Sequence, residues 1–280
     1  MSASPTSAPG SALASKSEVY TFPSHRLKRR QMHHDKTPLV LVACGSFSPI
    51  TYLHLRMFEM ASDYVRFNTE FEVMGGYLSP VSDAYKKKGL APAEHRVSMC
   101  GLAAEETSEW LMVDPWEATQ PAYMPTAQVL DHFAHEINTV IGGVETADGS
   151  SRRPVRIALL AGADLIQTMS TPGVWDSKDL DHILGNYGVL IIERAGTDIE
   201  EAIEHLRRWE HNIYVIQQVV QNDISSTKVR LFLKREMSVR YLIPEDVIRY
   251  IDFHGLYRDD DATKVGAEKS DKGKCPEAMP

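Results

Sequence analysis

The sequence predicts a doubly wound α/β domain, a parallel sheet covered by helices on both faces. Three observations carry this reading. Six short segments, Pro38–Cys44, Phe71–Leu78, Trp110–Val113, Val155–Ala161, Gly188–Glu193 and Ile213–Gln217, are nearly continuous in apolar residues, the pattern of strands buried on both faces. Between them lie segments of helical period at about His54–Phe67, Pro92–Thr107, Tyr123–Asn138 and Ile199–Glu210, so that βα units repeat. Finally, 43% of the 280 residues are hydrophobic, enough to bury a substantial core.

In chain order, residues 1–37 come first as a flexible basic arm, because they carry Ser, Ala and Pro and then the run Arg26-Leu27-Lys28-Arg29-Arg30 without sustained periodicity. That run reads either as a nuclear import signal or as a solvated tail. The folded domain spans 38–258, and 259–280, charged and rich in small residues, reads as a disordered tail. Within the domain, Gly142–Pro154 is polar and glycine-rich, the composition of an exposed loop or insertion.

Composition excludes several classes. Net charge is −8, and residues 1–37 hold six Lys/Arg against Glu18 and Asp35, so the body is more acidic still. An acidic body argues against a broad nucleic-acid or membrane surface, which needs clustered cations. A focused basic pocket for a small phosphorylated ligand stays open. Cys44, Cys100 and Cys275 have neither a disulfide framework nor zinc spacing and read as incidental thiols of a reducing compartment. No apolar run approaches a membrane span, which points to an intracellular protein of the cytoplasm or nucleus. His33-His34 and His132 with His135 lack the Glu of a zinc motif and read as surface histidines.

Two connections carry phosphate chemistry. The first strand runs into Gly45-Ser46-Phe47-Ser48-Pro49-Ile50-Thr51, and a helix begins near His54. Gly45 permits a tight turn and close ligand approach, Pro49 ends the strand, and the helix start offers free N–H groups to an anion. The last strand leads to Asn222-Asp223-Ile224-Ser225-Ser226-Thr227-Lys228-Val229-Arg230, where Ser and Thr cap another helix. A third polar loop, Ser79–Gly89, carries Lys86-Lys87-Lys88 and is a candidate triphosphate clamp. Each alone fits a bland reading better: an ordinary βα connection, a simple helix cap and a solvated lysine surface. Neither the G-x-x-x-x-G-K-[ST] of a P-loop nor a G-x-G-x-x-G after a strand occurs.

Gly45–Arg56 and Ile224–Arg230 resemble the two signatures of the α/β nucleotidyltransferases, which share a Rossmann-like sheet. Further segments resemble the eukaryotic nicotinamide mononucleotide adenylyltransferases in particular: Ser79–Gly89, Trp116-Glu117, Ala161–Leu165, Val174-Trp175, Asn186–Gly188, Glu193–Gly196 and Ser238–Leu242. The likeness runs in order from about Pro38 to Tyr257, and the ordered set is far more specific than any one segment.

The resemblance implies that a mononucleotide 5′-phosphate attacks the α-phosphorus of ATP, giving NAD and pyrophosphate without a covalent intermediate. By this likeness Gly45, Ser46 and Phe47 contact nucleotide through the backbone, while His54 and Lys87 reach ATP phosphates. Gly162 and Asp164 hold the ATP ribose, Asn222 and Thr227 lie near the adenosine, and Ser225 and Arg230 complete the triphosphate site. Ser46 and Phe47 also serve the mononucleotide, with Trp175 and Tyr123 about its pyridine ring and Thr126 nearby. His54, Lys87 and Arg230 are the expected catalytic groups, and Mg²⁺ is expected on the phosphates, with no protein cage. An attacking phosphate oxygen is already ionised at pH 7, so His54 is expected to donate a hydrogen bond and not to act as a base.

The pattern departs from the family at three positions. Ser48 stands where Asn is common, which is expected to weaken a polar contact; Thr51 replaces the first His of His-x-x-His, as in eukaryotic members; Tyr123 stands where animal members often have Trp. A pantetheine-phosphate adenylyltransferase or a cytidylyltransferase shares the two signatures without needing the aromatic pair. A chaperone-like binding role of the same fold is the alternative of another class; the intact His54, Lys87 and Arg230 argue against a loss of activity, while a second role stays open. The expected partners are the two nucleotides, with a homo-oligomer as the assembly the resemblance leans towards.

Overall fold

The computed structural model describes residues 20–193 and 199–258, and of Glu200 the backbone only. Six parallel strands form the sheet: β1 (Thr37–Gly45), β2 (Phe71–Pro80), β3 (Leu111–Val113), β6 (Arg156–Gly162), β7 (Val189–Ile192) and β8 (Ile213–Ile216). A separate antiparallel pair, β4 (Val144–Glu145) and β5 (Arg152–Arg153), lies between β3 and β6 in sequence. The helices are α1 (Tyr52–Asn68), α2 (Ala93–Thr107), α3 (Thr126–Ala134), α4 (Ala163–Ser170), α5 (Ser177–Leu180), α6 (Ile199–His205), α7 (Ser226–Lys234) and α8 (Glu245–His254).

Strand order is β3-β2-β1-β6-β7-β8. The chain winds outward from β1 on one side, then returns to wind outward on the other. A crevice therefore opens between β1 and β6, beyond their carboxyl ends, where successive connections leave the sheet in opposite directions. The apolar strands explain why both faces are covered. Leu39, Leu41 and Ala43 of β1 join the cluster that holds Phe58, Met99, Val229 and Val247. Val40 and Val42 join the opposite cluster, with Phe133, Ile166, Leu184 and Trp209. Alternate residues of β1 thus feed two cores, and neither of its faces is polar.

Several expectations need correction. Residues 20–37 are not a flexible arm. Leu27 is buried at 5% exposure, the Arg26 guanidinium donates to the carbonyls of Ala104 and Leu111, and the Lys28 amide donates to the Met74 carbonyl. One apolar residue inside the basic run anchors it, so an amphipathic strap was hidden by its charge. The arm's first 19 residues and the tail 259–280 lie outside the described residues, as does most of Glu193–Gly196. Gly142–Pro154 is more than an exposed loop: it holds the β4–β5 hairpin, and Glu145 exchanges backbone hydrogen bonds with Arg29 and Gln31. His132 is not a surface histidine. Its side chain keeps 7% of its exposure, stacks on Trp116 at 4.1 Å and 5°, and lies 3.0 Å from an Asp114 carboxylate oxygen. The segment from Tyr123 is helical only from Thr126, and its last turn, His135–Val140, is π-helical.

No helix among the described residues is long and apolar enough to cross a membrane.

Candidate active site

The Gly45–Thr51 turn begins where β1 ends, and its strain is local. Phe47 holds a φ of +44°, an uncommon value for a bulky residue and a sign of a conformation fixed by its surroundings. Its ring fills the space beside Gly45, where a Cβ would come within 3.1 Å of it. Any residue but glycine at 45 displaces that ring.

Thr51 is the N-cap of α1, and His54 sits at its third position. The Thr51 amide donates to His54 Nδ1 at 3.0 Å, with the Thr51 hydroxyl at 2.8 Å. An imidazole nitrogen that accepts from an amide carries no proton, so the proton resides on Nε2. Burial lowers the pKa of this group from 6.5 to about 4. At neutral pH His54 is thus an uncharged donor held edge-on to the Phe47 ring, with centroids 5.2 Å apart.

The second turn locks onto the first. Ser225 caps α7, its hydroxyl accepting from the Lys228 amide. Ser226 Oγ donates to the Pro49 carbonyl at 2.8 Å, and Arg230 Nη1 donates to the Ser48 carbonyl at 2.7 Å. Ser48 itself is not the weak point expected of it. Its hydroxyl accepts from the Ala91 amide at 2.9 Å and lies 2.7 Å from the Tyr257 hydroxyl, so the smaller side chain is fully engaged at 0% exposure.

Between the two turns lies a cavity of about 440 Å³ at the β1/β6 crevice. Its wall includes Gly45, Ser46, Phe47, His54, Gly162, Asp164, Ser225, Thr227 and Arg230. Three helices, α1, α4 and α7, direct their N-terminal turns at it through Leu53–His54, Ala163–Leu165 and Ser226–Thr227. Their dipoles sum to a positive site in an acidic protein. Among the described residues, Asp164 is the single carboxylate of the lining. Such a cavity binds a polyanion attached to an uncharged body. A larger cavity of about 530 Å³ lies between α7 and α8, but its rim mixes Lys234, Arg240 and Arg258 with Glu236 and Asp252 and no strand end points at it.

Other expected site residues lie outside this lining. Lys87 is exposed on the loop after β2, whose end approaches Arg230: a Cβ at Gly89 would stand 3.8 Å from Arg230 Nε. Asn222 uses its side-chain oxygen to accept from the Ile224 amide, shaping the turn before α7. Tyr123 is exposed and stacks on Tyr85 of the lysine loop, with centroids 5.7 Å apart. Trp175 donates from Nε1 to Thr168 Oγ1 at 3.1 Å, and Thr168 lines the cavity. Thr126 is the first residue of α3.

Sequence reasoning missed Arg96. It is fully buried, and its guanidinium donates to the carbonyls of Ala91 and Ser46 and to Asp83 Oδ1 at 3.0 Å. It therefore ties the phosphate turn to the lysine loop. The available signal was its position: Arg96 stands at helical spacing with Met99, Cys100 and Ala103 on the apolar stripe of α2. Cys44 also lines the cavity, and burial with the nearby Glu117 charge raises its pKa well above the usual thiol range. Among the described residues, no three His, Cys, Asp or Glu side chains converge to hold a metal ion.

Fold and cleft define the class of protein. Residues 42–232 match the family described as cytidylyltransferase-like. The chain is 61% identical over 245 residues to nicotinamide/nicotinic acid mononucleotide adenylyltransferase 1 of Saccharomyces cerevisiae, covering 86% of this chain and 61% of that one. It is 57% identical over 249 residues to the Schizosaccharomyces pombe protein named for the same two mononucleotides, covering 88% and 67%. With the Arabidopsis thaliana protein of that name it shares 42% over 239 residues, covering 84% and 97%. The chain belongs to the family of the nicotinamide/nicotinic acid mononucleotide adenylyltransferases. It spans about three-fifths of the length of the Saccharomyces cerevisiae relative.

Proposed function

We propose that this chain joins the AMP moiety of ATP to nicotinamide mononucleotide, and to its nicotinate counterpart, giving the dinucleotide and pyrophosphate. The observation that carries the reading is the interlock of the two turns, Ser226 on Pro49 and Arg230 on Ser48, around a cavity fed by three helix N-termini. That geometry suits a triphosphate whose α-phosphorus faces an incoming phosphate.

In this reading the backbone of Gly45–Phe47 and the N-terminus of α7 cradle the phosphates. Arg230 neutralises the charge that builds on the leaving pyrophosphate, and His54 Nε2–H donates to an α-phosphate oxygen. Lys87 joins them from the loop that ends beside Arg230. Asp164 and Gly162, at the start of α4, take the ATP ribose, with Asn222 and Thr227 by the adenosine. Tyr123, Thr126 and Trp175 serve the mononucleotide. Mg²⁺ would arrive with the ATP substrate and neutralise phosphate charge there, which suits a lining with one carboxylate, Asp164, among the described residues. The reaction moves one P–O bond: the mononucleotide phosphate oxygen bonds the α-phosphorus as the bridge to the β-phosphate breaks. Positioning and charge stabilisation supply the rate.

Protein, ATP, Mg²⁺ and nicotinamide mononucleotide are expected to give NAD and pyrophosphate in equal amounts. Absence of NAD, with pyrophosphate released from ATP and phosphopantetheine instead, overturns the reading.

A further inference from the structure

Three carboxylates are buried among the described residues, Glu72, Asp114 and Glu117. Two of them are held by partners that suit a charge. Glu72 accepts the amides of Met32 and His33; Asp114 accepts from Tyr20 and His132. Glu117 differs. Its hydrogen-bond partner is one neutral hydroxyl, Ser79 Oγ, at 2.6 Å, and it retains 4% of its exposure. A carboxylate so placed is poorly compensated when ionised, and it contributes little to the fold that a glutamine would not.

Its location supplies a use. Glu117 opens the short 3₁₀ turn Glu117–Thr119, on the connection that carries Tyr123 and ends at Thr126. Its charge reaches the Cys44 thiol at the cavity wall and the Tyr123 hydroxyl. Resting on the proposed function, we infer that Glu117 sets the preference between the two mononucleotides: ionised, it repels the ring carboxylate of the nicotinate form, and neutral, it admits both. The two substrates differ in this one group, a neutral carboxamide or a carboxylate.

The groups facing Glu117 come from every neighbouring element. Cys44 of β1 and Ser79 of β2 lie beside it, Arg96 of α2 attracts its negative form, and Asp114 after β3 repels it. Burial pushes its carboxyl up to about 7, against the downward pull of Ser79 and Arg96. The choice of substrate then varies with pH near neutrality. The 5′-phosphates of both substrates, which titrate at about 6, cancel in a ratio of rates.

The test measures kcat/KM for both mononucleotides from pH 6 to 8, on the wild-type chain, Glu117→Gln and Ser79→Ala. In the wild type, the ratio of nicotinate to nicotinamide activity is expected to fall about tenfold as pH rises, as one charge acting across several ångströms of protein allows. Glu117→Gln flattens the ratio. Ser79→Ala moves the midpoint to higher pH, because the hydroxyl that favours the ionised form is gone. A wild-type ratio constant over this range, or a slope that survives in Glu117→Gln, overturns the inference while the proposed function stands. No dinucleotide from either substrate at any pH overturns both.

Discussion

His54 is defined by which nitrogen carries its proton. Because Nδ1 accepts the Thr51 amide, the ring presents one N–H and no charge, and the pKa of about 4 keeps it so. A neutral donor fixed in place stabilises charge that develops on phosphate without any proton transfer. His54→Ala is expected to lower turnover by roughly 10²–10³ with a modest change in the apparent affinity for ATP, the usual cost of removing one such donor. Steady-state kinetics check this, and near-normal turnover sinks the assignment. The same residue predicts a pH profile without an inflection near 6.5 from this histidine.

At the scale of elements, the site exists because two βα turns from opposite ends of the chain hold each other. Arg96 of α2 is the third tie, donating to the Ser46 carbonyl at 3.1 Å. Arg96→Met removes the donors to Ser46, Ala91 and Asp83 together. The expected result is a loss of about 2–3 kcal/mol in urea unfolding, the cost of abandoning charge-assisted bonds, and a raised KM for ATP as the turn loosens. Gly76 tests the packing of β2. A Cβ there would stand 2.6 Å from Leu111, 2.7 Å from Trp110 and 2.9 Å from Phe58, so Gly76→Ala must displace β3 or α1. A loss of about 1–3 kcal/mol is expected, read as a lowered melting temperature; an unchanged one means that these neighbours yield freely.

Across the whole molecule, the segment from Tyr20 to Lys36 is a strap, with Leu27 beneath it and Tyr20 bonded to Asp114 at its start. Leu27→Ala is expected to cost about 2–5 kcal/mol, measured by denaturant unfolding; a loss below 1 kcal/mol returns the strap to a surface arm. His54 and Glu117 act together on stability. Unfolded, His54 takes its proton near 6.5 and folded only near 4, so its contribution falls as pH drops through that window. Glu117 keeps its proton up to about 7 when folded but loses it near 4.5 unfolded, so its contribution falls as pH rises. The two slopes oppose each other between about pH 4.5 and 6.5. Glu117→Gln is expected to expose the His54 slope, with stability rising by about 2 kcal/mol over that range, and His54→Gln to expose the reverse. Parallel urea titrations at the two pH values decide it.

The sequence by itself determined the sheet, because each of its six apolar runs is buried on two sides and can form little else. It also determined both phosphate turns, since Gly45, Pro49 and Ser225 act through local backbone rules. Distance in sequence hid the rest. The basic run at Arg26–Arg30 read as an import signal or a solvated tail because its one apolar residue, Leu27, finds a partner only in the folded sheet. Arg96 passed as an ordinary helix residue, since its three acceptors come from separate segments. Glu117 stood in the sequence only as half of the Trp116-Glu117 likeness, with no role: what sets it apart is burial beside the Ser79 hydroxyl, and burial is a property of the assembled fold.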